Sequence, residues 1–279
     1  MFKKIAALVM AIAMVCTMAT LFTGCGANAD FKIGVILIGD ETEGYSLAHI
    51  NGIKAAAKAL KLNDSQIIWK YKIGEDSAAL DAATDLVANG CSVVVSNSYG
   101  HQAFMAQAAE QFPEVTFLAM TGDFAGISGL PTLKNAFTAV YESRYVSGVV
   151  AGMKLKELMD AGEVTDPYVG YVGAFPYAEV VSGYTAFFLG IQSIVPEAHM
   201  DVQYTNSWYD PVAENEAAIA LMGKGCVIIG QHADSTGAPS AVQALNKNGQ
   251  VVYSVGYNDY SFLKINLQLK FFKIRIILL

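Results

Sequence analysis

Residues 89–122 read "NGCSVVVSNSYGHQAFMAQAAEQFPEVTFLAMTG", and residues 224–258 read "KGCVIIGQHADSTGAPSAVQALNKNGQVVYSVGYN". Each runs from Gly-Cys through a short apolar run, a polar loop and a helical pattern to a second apolar run and a Gly. Upstream the correspondence continues: Gly34 precedes Cys91 by 57 positions and Gly170 precedes Cys226 by 56. A layout repeated at this spacing predicts two lobes of similar construction; one continuous sheet is the competing arrangement.

The rest of the chain supplies the same parts. Apolar runs at 32–38, 66–72, 91–97, 115–120, 168–174, 200–205, 226–231 and 251–256 have the length and β-branched content of strands. Between them lie Ala-rich helical stretches such as "SLAHINGIKAAAKAL", "SAALDAATDLVA" and "PVAENEAAIALM". Strictly alternating strands and helices make parallel sheets with both faces covered. The expected fold is therefore α/β, with two doubly wound parallel-sheet lobes. The segment Thr121 to Tyr141, rich in Gly and small residues, reads as the join. It divides the chain into an N-terminal lobe at 32–125, a hinge crossing at 126–145 and a C-terminal lobe at 146–258.

The first 24 residues read as an address and not as fold. "MFKK" is a charged start, "IAALVMAIAMVCTMATLF" an apolar core, and "FTGC" places small residues before Cys25. This pattern resembles a bacterial lipoprotein signal. It implies cleavage before Cys25, lipidation (palmitate) of that thiol, and a short tether at 25–31 holding the protein to the outer face of the cell membrane. Cys91 and Cys226 each open an apolar run, which reads as a buried small hydrophobe.

The chain has 53% hydrophobic and 15% charged residues, with a formal net charge of −7. Lys3, Lys4, Lys264, Lys270, Lys273 and Arg275 all fall outside residues 30–260, which hold 12 basic against 25 acidic residues. So acidic a body repels phosphate backbones, which argues against nucleic-acid binding. The final stretch, "YSFLKINLQLKFFKIRIILL", is cationic and apolar, unlike the Gly- and Ala-rich body. That break reads residues 259–279 as an aberrant or truncated tail, with a terminal strand as the alternative.

In open parallel sheets, ligands sit beyond the carboxyl ends of the strands. Seven loops occupy such ends: "GDETEGYS", "SNSYGH", "TGDFAG", "AFPYAE", "TNSWYD", "QHADST" and "GYNDY". Six carry an aromatic residue and all carry hydrogen-bonding groups, which suits a flat ligand with a polar edge. Trp208 follows a strand and precedes a helix cap, so it is expected in the cleft. Asn97, Asn206 and Asp234 are candidate polar readers, each of them equally able to form a turn or cap. Ser46 is expected to cap the first helix, with His49 in its first turn as a secondary hydrogen-bonding partner. Asp210 is expected to cap the helix beginning at Pro211.

No G-x-S-x-G, H-E-x-x-H, C-x-x-C or Walker loop is present. Asp40, Glu41, Asp210 and Asp234 offer carboxylates, but their spacing selects no catalytic pair. The chain is therefore expected to bind rather than catalyse, with no catalytic residue, metal or cofactor.

Residues 174–235, together with "EGYSLAHINGIKAA", "SNSYGHQAFMAQAAEQFPEVTF" and "ESRYVSGVVAGMKLKEL", resemble the basic membrane protein family. These are substrate-binding lipoproteins of ABC transporters with a type I periplasmic-binding fold. The resemblance covers most of residues 32–258. It implies two lobes closing on a purine nucleoside or base, and a permease as partner. By position it assigns ligand contacts to the loop Glu43–Ser46, with Tyr45 as a stacker. It also assigns Asn97, Ser98 and Tyr99 on the first lobe, and Phe175, Tyr177 and Trp208 on the second. Asn258 stands where nucleoside binders tend to hold the sugar with a carboxylate, which leaves a free base as plausible as a nucleoside. The family also continues past "SVGYND" with elements that this chain does not carry. A ligand sensor with the same pocket and a hydrolase of nucleosides or sugars are the competing functions.

Overall fold

The computed structural model describes residues 31–248 and 251–257. Two parallel sheets account for every strand among them. The first joins β1 (Ile33–Ile36), β2 (Ile67–Lys70), β3 (Val93–Ser96), β4 (Thr116–Met120) and β5 (Leu133–Ala136) in the order β2-β1-β3-β4-β5. The second joins β6 (Tyr168–Gly173), β7 (His199–Tyr204), β8 (Ile228–His232) and β9 (Tyr253–Val255) in the order β7-β6-β8-β9. Strand order thus reverses beside β1 in one sheet and beside β6 in the other. The fold is two α/β lobes, each a parallel sheet flanked by helices.

The helices are α1 (Gly44–Ala59), α2 (Ser77–Ala88), α3 (Gln102–Gln111), α4 (Ala125–Ser128), α5 (Val140–Asp160), α6 (Ala178–Gln192), α7 (Pro211–Gly223) and α8 (Gly237–Lys247). The two-residue period of a strand divides each sheet's side chains between two cores. Val35 and Leu37 pack with Ile50 and Ala57 of α1, whereas Ile36 and Val94 pack with Leu86 of α2 and Met105 of α3. Val169 and Tyr171 meet α5 and α6, and Val172 and Ile229 meet α7 and α8.

The repeat has a physical cause. At the end of α2, Gly90 takes φ +83°, its N–H donates to Val87 O at 2.9 Å, and Cys91 N–H donates to Leu86 O at 3.1 Å. At the end of α7, Gly225 takes φ +104°, its N–H donates to Met222 O at 3.0 Å, and Cys226 N–H donates to Leu221 O at 3.2 Å. Both are Schellman endings, which need a residue free to adopt positive φ. The leucine each ending fixes then lies on a strand glycine. A Cβ on Gly34 would meet Leu86 at 2.8 Å, and one on Gly170 would meet Leu221 at 3.0 Å. Both cysteines are buried and unpaired.

Three features differ from the sequence expectation. β5 lies inside 126–145 and belongs to the first sheet. Its sequence, "LKNA", offers one buried apolar residue, Leu133, and no alternation. Asn135 anchors it instead: Nδ2 donates to Thr121 O at 2.8 Å and Oδ1 accepts from Ala125 N at 2.7 Å. The short α4 was also not expected. Finally, α1 begins at Gly44, so its cap is Glu43 and not Ser46. The Glu43 carboxylate accepts from the N–H groups of Tyr45 and Ser46, the latter at 2.7 Å. Glu43→Ala is expected to cost about 1–2 kcal/mol, as loss of a partly buried cap does. A shifted urea midpoint with an unchanged m-value would show it, while Glu43→Gln should retain most of the stability.

Candidate ligand-binding cleft

The first lobe's rim is built where strand order reverses. Asn97, 1% exposed, accepts through Oδ1 from Ile38 N at 2.8 Å and donates through Nδ2 to Ser46 Oγ at 3.2 Å. Ser46 Oγ also accepts from Gly39 N at 3.2 Å. These bonds knit the loop after β1 to the loop after β3. Tyr45 leans across the join and donates its hydroxyl to Asn97 O. His49 packs edge-on against Tyr45, ring centroids 4.6 Å apart, and burial lowers its pKa to about 4, so it stays neutral.

Glu75, just before α2, ties the rim to the other lobe. Its Oε1 accepts from Ser98 Oγ at 2.5 Å, from Gly100 N at 2.8 Å and from Trp208 Nε1 at 3.2 Å. A second tie is aromatic. Tyr99 stacks on Tyr177 with centroids 5.0 Å apart, Tyr177 stacks on Phe175 at 4.9 Å, and Trp208 meets Phe175 edge-on at 5.3 Å.

The second lobe carries a buried polar cluster. Glu179 opens α6; its Oε1 lies 3.8 Å from His232 Nε2, which shares a hydrogen bond with Tyr257 Oη at 2.8 Å. Arg144, 5% exposed on α5, places its guanidinium 4.0 Å from the centre of the Tyr257 ring. Burial and the nearby Arg144 charge hold His232 well below the usual imidazole range. At 3.8 Å and with a neutral ring, Glu179 and His232 are therefore not an ion pair. Burial pushes the Glu179 carboxyl up to about 7; Arg144 opposes the rise and Glu75 adds to it.

Between these surfaces lies a cavity of about 290 Å³. Ile38, Tyr45, Ser98, Tyr99 and Thr121 line it from the first lobe, and Glu179, Trp208, Asp234 and Tyr257 from the second. Each lining residue follows the carboxyl end of a strand, among them those flanking both reversal points, where open parallel sheets bind their ligands. The lining joins tyrosine and tryptophan rings to two carboxyl groups, with no Lys or Arg among the described residues.

Residues 37–263 match the family described as ABC transporter substrate-binding protein PnrA-like, Bmp. The chain belongs to this family. A purine-binding protein of Brucella abortus is 31% identical over 239 residues, covering 85% of this chain and 63% of that relative. The chain thus spans less than two thirds of that relative's length. Among solved structures, an ABC transporter solute-binding protein from Aeropyrum pernix K1 superposes with a TM-score of 0.70 at 14% identity, covering 81% of this chain and 62% of that one. A solute-binding protein from Conexibacter woesei gives 0.59 at 22% identity, covering 84% and 73%. At these identities the two structures speak for the fold alone.

Against this PnrA-like frame the expected site residues separate into tiers. Tyr45, Ser98, Tyr99, Trp208 and Asp234 reach the cavity wall. Ser46 and Asn97 lie behind it with their polar side-chain atoms already engaged. Phe175 and Tyr177 stack behind Tyr99 and Trp208. Asn206 is brought to no part of the wall; it is exposed, in a turn at φ +55°, the turn-forming role open to a short polar side chain. Asn258 and Cys25 lie outside the described residues, as does the tail from 259. Ile38, Thr121, Glu179 and Tyr257 also line the cavity; the last three stand in strand-end loops expected at the cleft, though the sequence singles out none of the four. Glu179 reads in sequence as a first-turn acid complementing the helix dipole, and Tyr257 carries no signal that sets it above its neighbour Asn258.

Of the acids considered for catalysis, Asp234 lines the cavity, while Asp40 and Asp210 are engaged elsewhere. Asp40 pairs with Lys72 at 2.7 Å, and Asp210 caps α7 through the N–H groups of Val212 and Ala213, both at 3.0 Å. Among the described residues no cluster of three or more His, Cys, Asp or Glu is arranged to hold a metal ion. No described helix is long and apolar enough to cross a membrane.

Proposed function

We propose that this chain captures a purine, as free base or nucleoside, on the outer face of the cell membrane and presents it to an ABC permease for import, held there by lipid on Cys25. The observation that carries the reading is the cavity wall. It is lined from both lobes, by flat rings and by groups that can read a polar edge. A planar heterocycle placed there touches both lobes at once, so its binding energy favours the closed state. The Brucella abortus relative, a purine-binding protein, supports the choice of ligand class.

The test is a thermal-shift and calorimetric panel of adenine, hypoxanthine, guanine, their nucleosides and monophosphates, and hexoses. Purine bases or nucleosides should bind most tightly. Monophosphates should bind more weakly than bases or nucleosides, because no Lys or Arg among the described lining residues is placed to meet the phosphate. A hexose that outcompetes every purine would replace this reading.

A further inference from the structure

Two oxygens of the cavity wall are buried without a hydrogen-bond partner among the described residues, Thr121 Oγ1 and Glu179 Oε2, and the second belongs to a carboxyl group. The Glu179 side chain is 10% exposed. An unpaired carboxyl oxygen in such surroundings costs free energy unless a ligand or a proton satisfies it. Around it stand Tyr257 after β9, His232 on β8, Asp234 after β8, Arg144 on α5, and Glu75 and Tyr45 from the first lobe. None of them donates a hydrogen bond to Oε2.

We propose, resting on the purine reading above, that Glu179 is a specificity-determining residue of this cavity, its Oε2–H donating a hydrogen bond to an unprotonated ring nitrogen of the bound heterocycle. The surroundings favour the protonated acid. Burial is the chief cause that raises its pKa to about 7, and a ligand seated over it removes what water remains, which pushes the pKa higher still. The neutral carboxyl then has a donor to offer, and a purine ring offers unprotonated nitrogens to accept it. His232 stays neutral throughout and supplies no competing charge. The Arg144 guanidinium, which would favour the anion, lies over the Tyr257 ring.

The sign follows from linkage. Below the free-site pKa the proton is already in place and affinity is flat. Above it, binding must take up a proton, so affinity falls with rising pH, by up to about tenfold per pH unit. The experiment is calorimetry with adenine, whose ring does not titrate in this range, at about pH 6 and about pH 8.5 in buffers of different ionisation enthalpy. The wild-type chain should bind about tenfold or more weakly at the higher pH, with proton uptake visible as a buffer-dependent heat. Glu179→Gln, whose amide donates in place of the acid, should keep the low-pH affinity within about threefold, lose the pH slope and take up no proton. Glu179→Ala should lose about tenfold at low pH. Melting temperatures of both variants check that the fold persists. Adenine binding that is flat with pH in the wild type, or that keeps its slope and proton uptake in Glu179→Gln, overturns this inference and leaves the purine reading standing. A wild-type chain that binds no purine at either pH overturns both.

Discussion

Gly148→Ala is expected to be the most damaging single-methyl addition in the described structure, lowering the melting temperature by on the order of 10 °C. Helix propensity alone argues the other way, since Ala in a helix interior is favoured over Gly by about 1 kcal/mol. The close approach of α5 and α6 decides the sign. A Cβ on Gly148 would sit 1.9 Å from the Phe187 carbonyl oxygen, a backbone atom that cannot move aside without its helix. Gly190 makes the reciprocal approach, 2.2 Å from Tyr145 O, and Gly152 would meet Ile191 O at 2.9 Å. Prising the pair apart uncovers Phe187 and Ile191, both buried against the second sheet. A net loss of roughly 3 kcal/mol or more is in line with overpacked cores. Gly52→Ala is the control: it lies within α1 with nothing within 4 Å of the new methyl, so it should be neutral or stabilising by up to about 1 kcal/mol. Equal melting temperatures for the two variants would mean that the helices do not meet as closely as described.

Trp208→Ala should weaken purine binding by about 30- to 100-fold, the 2–3 kcal/mol typical of a buried aromatic anchor. Two effects add. The indole is part of the cavity wall and is edge-on to Phe175 at 5.3 Å, so its loss removes a ring face from the ligand. Its Nε1–H also donates across the cleft to Glu75 at 3.2 Å, so its loss weakens the contact that brings the lobes together. Trp208→Phe separates the two, keeping a ring while removing the donor, and should fall between wild type and Trp208→Ala. Affinity unchanged in Trp208→Ala, measured by calorimetry, would remove Trp208 from the site.

What could be read from the sequence depended on how local its cause was. Eight of the nine described strands are placed by the sequence: β1 and β6, buried along almost their whole length, are apolar because both faces are covered, while the edge strand β7 shows an apolar-polar alternation instead. β5 is not, because the Asn135 side chain holds it at a sheet edge and no apolar pattern marks it. The Asp210 cap was legible from Asp-Pro, since cap and helix start are adjacent. The α1 cap was misplaced by three residues: Glu43 and Ser46 are both plausible caps in sequence, and the backbone path that starts the helix at Gly44 chooses between them.

The site divides along the same line. Tyr45, Ser98, Tyr99, Trp208 and Asp234 line the cavity from loops that follow strands; the strand-end rule picks out those loops, while Tyr45, Ser98 and Tyr99 are singled out by the family resemblance. Asn97 and Ser46 follow strands too, yet their side chains turn inward to join β1 to β3. Only the packing shows which polar groups are already satisfied.

By itself, the sequence determined the two-lobe α/β architecture, the Schellman endings that repeat it, and the ring of strand-end loops, because periodicity, Gly placement and turn chemistry act over a few residues. The tertiary structure alone decided that Glu75 meets Trp208, 133 positions away, and that Tyr99 stacks on Tyr177. It likewise decided that Glu179 lies where burial raises its pKa to about 7. Desolvation and cross-lobe contact depend on what surrounds a group in space, and no local pattern along the chain encodes them.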